Sequence, residues 1–287
     1  MHNLTRRAML QSAVGAGAVP ALALRGAAAA ASGDPWLGLK VGVASYTLRE
    51  LPLEAAIQGI RRVGVRYASI KDVHLPRKSS AEERRAVIRK FKEAGITPLS
   101  CGNVSMQNSE ADIRDAFQYA RDAGLPTIVC SPHPDSLAIL DRLVKEFDIR
   151  LAIHNHGPED KRFPSPYDVW QAVQKYDARI GLCIDVGHSA RAKVDPAEAI
   201  VKCKARLYDL HLKDLASTEP KAATLEVGRG VLDIKGICRA LLSIRYQHQV
   251  AFEYEKDGDD PLPGLAESVG YVRGLLAGMR DSAPRSA

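Results

Sequence analysis

The chain has 287 residues, 46% hydrophobic and 26% charged, a balance that excludes a disordered or fibrous chain and allows one large or two small domains. Its formal charge of +6 includes Arg6, Arg7 and Arg25, all within the first 31 residues, which carry no acid. Setting those three aside, 37 basic residues face 34 acidic ones, a net of +3 that gives a nucleic-acid role little support.

The first 31 residues read as an export signal. A short polar start ends in Thr5-Arg6-Arg7-Ala8-Met9-Leu10 and passes into an Ala, Gly and Val run up to Leu24. A-x-A patterns follow at Ala21-Leu22-Ala23 and within Ala27 to Ala31. Consecutive arginines before a mildly apolar stretch resemble the twin-arginine signal, which exports folded proteins. A Sec signal or an uncleaved anchor is the competing reading, but the run is too glycine-rich and too short for stable membrane insertion, which takes about 20 apolar residues. The expectation is a periplasmic protein whose mature chain starts near Ser32 or Gly33.

Eight apolar, β-rich runs follow: Leu39–Tyr46, Val65–Lys71, Ile96–Cys101, Thr127–Ser131, Arg150–Asn155, Ile180–Asp185, Leu207–Leu212 and Gln249–Glu255. Amphipathic segments separate them, and a long helical pattern from Leu262 to Met279 closes the chain. Ser80 with Glu83 and Ser109 with Asp112 have capping-box spacing. Ser165-Pro166 and Asp195-Pro196 put proline behind a capping side chain. Gly64, Gly95 and Gly124 stand where helices hand over to strands. Five scattered cysteines show no CxxC spacing and read as buried small hydrophobes, not as a disulfide framework.

Eight strand–helix units in about 250 residues predict a single (β/α)₈ barrel over 34–280, with 1–31 as signal peptide and 281–287 as tail. A doubly wound open sheet is the alternative, but Ala44-Ser45-Tyr46-Thr47 after the first run holds no glycine fingerprint.

In such a barrel the working residues sit at the C-terminal ends of the strands. The fifth run ends in His154-Asn155-His156, the sixth in Asp185-Val186-Gly187-His188, the seventh in His211-Leu212-Lys213-Asp214 and the eighth in Glu253-Tyr254-Glu255. Any one of these is unremarkable as a polar residue meeting solvent. Four in succession cluster charge on one rim, which is costly unless a cation neutralises it. One ligand per strand gives His154, Asp185, His211 and Glu253, a set without thiolate that suits one divalent Mn, Zn, Fe or Co ion. Strand alternation points Glu253 and Glu255 the same way, so either could be the ligand, Glu253 being the deeper. His156, His188, Lys213 and Glu255 then face the substrate or support the ligands from behind. Tyr46, Lys71, His74, Asn103 and His133 follow the first four strands, and Arg229 lies in the Gly228-Arg229-Gly230 loop. An ordinary loop role competes with substrate contact for each of them.

Ile184-Asp185-Val186-Gly187-His188, His211-Leu212-Lys213-Asp214 and Phe252-Glu253-Tyr254-Glu255 resemble the motifs of the xylose-isomerase-like barrels, the superfamily of sugar isomerases and epimerases. The resemblance runs from Val41 to about Leu276. It implies a divalent metal held by Glu, Asp, His and Glu in the epimerases, carried over here to His154, Asp185, His211 and Glu253, and it makes His188 a substrate contact. The departure is His154, which stands in place of a glutamate. Only Glu253 remains of the carboxylate pair that shares proton transfers in the epimerases, which puts symmetric epimerisation in doubt.

The resemblance implies a metal-dependent enzyme that takes a proton from carbon beside a carbonyl of a sugar or keto-sugar, through a metal-stabilised enediolate. Glu253 is then the base, and His156 or His188 moves a second proton. If a leaving group sits β to the carbanion, the same intermediate makes the enzyme a keto-glycoside lyase. An apurinic endonuclease shares the barrel but needs three metals and a basic DNA-binding face. A carbohydrate-binding protein with a decayed metal site is the non-catalytic alternative. The expected partner is a small-molecule carbohydrate, and oligomeric state is not readable.

Overall fold

A computed structural model describes residues 33–281. The proposed signal segment and the last six residues lie outside the described residues. From Pro35 onward the described residues form one compact unit.

Eight parallel strands close into a barrel: β1 (Lys40–Ala44), β2 (Tyr67–Ile70), β3 (Thr97–Ser105), β4 (Thr127–Ser131), β5 (Arg150–His154), β6 (Ile180–Asp185), β7 (Leu207–Leu212) and β10 (Gln249–Phe252), with β1 paired to both β2 and β10. A two-stranded antiparallel ribbon, β8 (Asp214–Leu215) and β9 (Thr224–Leu225), follows β7 and is not foreseen from the sequence. The helices are α1 (Leu53–Val63), α2 (Ala81–Glu93), α3 (Glu110–Ala123), α4 (Leu137–Phe147), α5 (Pro166–Val173), α6 (Val186–Arg191), α7 (Pro196–Lys202), α8 (Ile234–Ser243) and α9 (Leu262–Asp281). No helix among the described residues is long and apolar enough to cross a membrane.

Local chemistry sets the boundaries. Ser80 and Glu83 form the expected capping box, as do Ser165 and Asp168, and Asp195 accepts from Ala197 and Glu198 N–H. Ser109 does not cap: Asp112 instead accepts from Gln107 N–H and pairs with Arg77. Gly64 ends α1 in the left-handed region at φ 80°, which a side chain would disfavour. Inside α1, Ile57, Ile60 and Val63 fall on one buried face, each worth about 1.5–3 kcal/mol of apolar burial.

Strand alternation decides what enters the barrel. Ala152 and His154, Cys183 and Asp185, Asp209 and His211 lie two apart on one face of each strand. In register, His154 stands opposite Cys183, Asp185 opposite His211, and His211 opposite Ala251. The ends of β5, β6, β7 and β10 therefore deliver their polar residues to one level.

The eighth barrel strand ends earlier than expected. Thr47 Oγ1 donates to Phe252 O (3.4 Å) and accepts from Tyr254 N–H (2.9 Å), replacing the ladder with side-chain bonds. Glu253 thus follows the strand, its N–H still bonded to Leu212 O at 3.0 Å.

Candidate active site

His154, Asp185, His211 and Glu253 converge, with one ligand atom of each lying within 4.8 Å of all the others. All four are buried. His154 Nε2 lies 3.1 Å from His211 Nδ1 and 3.6 Å from Asp185 Oδ2, and His211 Nδ1 lies 3.0 Å from Glu253 Oε2. Donors about 2.0–2.2 Å from one ion, at octahedral to tetrahedral angles, stand about 3.0–3.5 Å apart. The spacing and the mixed imidazole–carboxylate chemistry fit a divalent ion.

Asp185 is held from behind, and Tyr254 anchors the segment that carries Glu253. Asp185 caps α6: its Oδ1 accepts from His188 N–H at 2.7 Å, which leaves Oδ2 for the cluster. Asn155, on the opposite face of the chain from its two histidine neighbours, bonds Asp185 N–H and O and Ser189 Oγ. Tyr254, between the two glutamates, donates to Glu226 at 3.0 Å, and Glu226 also pairs with Lys256 at 2.8 Å.

Lys213 changes the electrostatic argument. Its side chain is 2% exposed, and its ammonium lies 3.0 Å from Asp185 Oδ2 and 2.9 Å from Glu253 Oε2, in contact also with Glu255. The clustered carboxylates therefore already have a cation, supplied by the chain. Burial would push the Asp185 and Glu253 carboxyls up; for Asp185, His188, Lys213 and His154 outweigh it, and for Glu253, His211 and Lys213 do, so both stay well below their ordinary range. Burial opposes the Lys213 charge, but Asp185, Glu253 and Glu255 hold it well above the usual lysine value. His211 is likewise raised against its burial, by Cys183 and Glu253.

A cavity of about 290 Å³ opens over the cluster, lined by Tyr46, Lys71, Asn103, His154, His156, His188, Glu253 and Glu255. His156 Nε2 lies 2.9 Å from Asn103 Nδ2, which donates to it, and its Nδ1 faces Asp160 Oδ2 at 3.4 Å. His188 Nδ1 accepts from Arg191 Nη2 at 2.7 Å, which leaves the proton on Nε2. Burial lowers both imidazoles, His156 to about 4 and His188 to about 3, so both are neutral at ordinary pH. A larger groove of about 600 Å³ between α8 and α9 is lined by Lys235, Arg239 and apolar residues, without acids or imidazoles.

Four expected contacts are not brought to the cavity. His74 is buried, its ring bonded to Ser45 Oγ and Leu51 O at 3.0 Å each, which makes it a structural histidine. Exposed Arg229 pairs with Glu267 of α9 at 2.8 Å, because its loop turns back on Asp214. The Asp214 carboxylate accepts from the N–H groups of Gly228, Gly230 and Leu232, and a side chain at Gly230 would collide with it. His133 is exposed and faces Asp135. Lys213 lies behind the carboxylates and is not on the cavity wall. Asp160, Arg191, Asn155, Ser131 and Glu226 were not singled out in the sequence; only Asn155, flanked by two site histidines, stood beside a signal.

No curated protein matches the sequence. Solved structures with similar folds include an uncharacterized protein from Parabacteroides distasonis, at 24% identity over 83% of this chain and 99% of that one, TM-score 0.65. The 3-keto-D-glucoside 4-epimerase of E. coli aligns at 15% identity over 82% and 99%, TM-score 0.68. An L-ribulose 3-epimerase aligns at 14% identity over 87% and 100%, TM-score 0.70. Identities this low speak for the fold. The family model described as xylose isomerase-like TIM barrel matches residues 57–275, and the chain belongs to that family.

Proposed function

We propose that the protein is a divalent-metal-dependent enzyme of the isomerase and epimerase type, which removes a proton from the carbon beside a carbonyl of a sugar or keto-sugar. The observation that carries this reading is the convergence of His154, Asp185, His211 and Glu253 beneath a cavity whose wall includes Glu253. When bound by these four, a divalent ion supplies Lewis-acid polarisation of a carbonyl.

The chain's own groups supply the rest. Glu253, kept anionic beside Lys213 and His211, takes the proton onto its carboxylate. Lys213 remains balanced by Asp185 and Glu255 when Glu253 is neutralised. His188 presents an Nε2–H to a substrate oxygen. His156, oriented by Asn103 and Asp160, stands at the wall where a hydroxyl binds. Tyr46, Lys71 and Asn103 line the same cavity and contact further hydroxyls. A cavity of about 290 Å³, at the small end of ligand sites, suits one sugar unit. The names of two fold neighbours, a 3-keto-glucoside epimerase and a ribulose epimerase, support a keto-sugar as the class.

β-Elimination from a keto-glycoside is the second reading, favoured by His154. Epimerisation needs a second acid on the opposite face of the sugar, where His154 stands in place of a carboxylate, whereas in a syn elimination the proton that Glu253 takes from carbon passes to the departing oxygen. We further propose export by the twin-arginine route to the periplasm, supported by Arg6-Arg7. A precursor with both replaced by Lys should stay in the cytoplasm, and normal export of that variant contradicts the route.

The test strips the purified protein of metal, resupplies Mn²⁺, Zn²⁺, Co²⁺ or Fe²⁺ singly, and offers ketoses and 3-keto-glucosides with products read by NMR. Turnover that requires a metal supports the reading. Full activity in excess chelator refutes metal dependence, and no turnover by any loaded form leaves the carbohydrate-binding alternative.

A further inference from the structure

We propose that Cys183 joins His154 and His211 in a second, deeper ligand set, through which the site takes a thiophilic divalent ion such as Zn²⁺ or Cd²⁺ in preference to oxygen-preferring Mg²⁺ or Mn²⁺. Alternation along β6 puts Cys183 on the same inner face as Asp185, one step further into the barrel. It stands opposite His154 in the β5–β6 register. One nitrogen of each imidazole and the Cys183 sulfur lie within 4.8 Å of one another, and no other cysteine among the described residues falls in such a group. All three side chains are at most 3% exposed. His154 Nδ1 and His211 Nε2 are buried without a hydrogen-bond partner, so these imidazoles hold donor capacity that the carboxylate cluster leaves unused.

Ligand softness favours the same set. The Lys213 ammonium pairs with Asp185 Oδ2 and Glu253 Oε2, whereas thiolate with imidazole selects the softer ions. On binding, the ion displaces the thiol proton to solvent: one S–H bond breaks, one metal–sulfur bond forms, and no electron changes hands.

The inference rests on the reading that this cluster binds a divalent ion, and the experiment separates the two. Cd²⁺ is titrated into the metal-free full-length protein under reducing conditions, and its affinity and the sulfur-to-cadmium charge-transfer absorbance are read together. The expected result is a band that saturates with one equivalent of Cd²⁺. In Cys183→Ser and Cys183→Ala the band should vanish. Cd²⁺ affinity should fall by at least the roughly tenfold that a lost outer-shell partner causes, with Mn²⁺ affinity changed less. Cd²⁺ bound by the wild type without the band overturns the thiolate set alone, as does a band that persists in both variants. No Cd²⁺ binding at all overturns this set, and the metal reading falls with it only if Mn²⁺ and Zn²⁺, titrated in parallel, also fail to bind. The wild-type absorbance decides even if neither variant folds.

Discussion

Lys213 Nζ stands 2.9 Å from Glu253 Oε2, so the candidate base is paired with a cation of its own chain. The pair lies in a region where removing one partner leaves the other charge buried and unmatched. Lys213→Met should therefore destabilise the metal-free protein by about 3–5 kcal/mol. Divalent metal should raise the melting temperature of this variant more than that of the wild type, since the ion then replaces a missing charge. Equal stability of variant and wild type without metal, in urea denaturation, contradicts the pairing.

Gly187 belongs to the same arrangement. A Cβ there would lie 2.8 Å from Lys213 Cδ and 2.9 Å from its Cγ, inside the space the lysine stem uses to reach the carboxylates. Gly187→Ala should displace the ammonium and lower kcat roughly a hundredfold, the scale of a 1 Å misplacement, with the fold retained by circular dichroism. Unchanged kcat means that Lys213 is not needed where it stands.

The barrel and the convergence of His154, Asp185, His211 and Glu253 were legible because strand ends and period-two alternation are local properties: Thr127–Ser131, Ile180–Asp185 and Leu207–Leu212 coincide with β4, β6 and β7. The same alternation brings Lys213 to the face of His211, yet its role as counter-ion depends on Asp185, Glu253 and Glu255 from other strands. Arg229 is not brought to the cavity for the converse reason. Its partner Glu267 and the carboxylate that folds its loop, Asp214, are joined to it only by tertiary structure. The early end of β10 is set by Thr47, some two hundred residues upstream.

Two of the three cavity histidines give a pH prediction. Burial lowers His156 to about 4 and His188 to about 3, so each is neutral above those values and gains charge only below them. The kcat/KM profile should thus show no limb from His156 or His188 between about pH 5 and 8, and activity tied to these two rings should fall only in more acid solution. A limb near 6.5 that disappears in His156→Gln or His188→Gln would contradict the neutral, buried assignment.

The central claim, that Glu253 takes a proton from carbon, is tested most directly by running the reaction in D₂O and locating deuterium by NMR. The account predicts deuterium on the carbon beside the carbonyl, in recovered substrate or in product, and predicts that Glu253→Gln abolishes it even in samples loaded to wild-type metal occupancy, which is measured alongside because the substitution also weakens a ligand. Turnover with no solvent hydrogen at any carbon, or with hydrogen passed directly between substrate carbons, contradicts it and would leave Glu253 a ligand only.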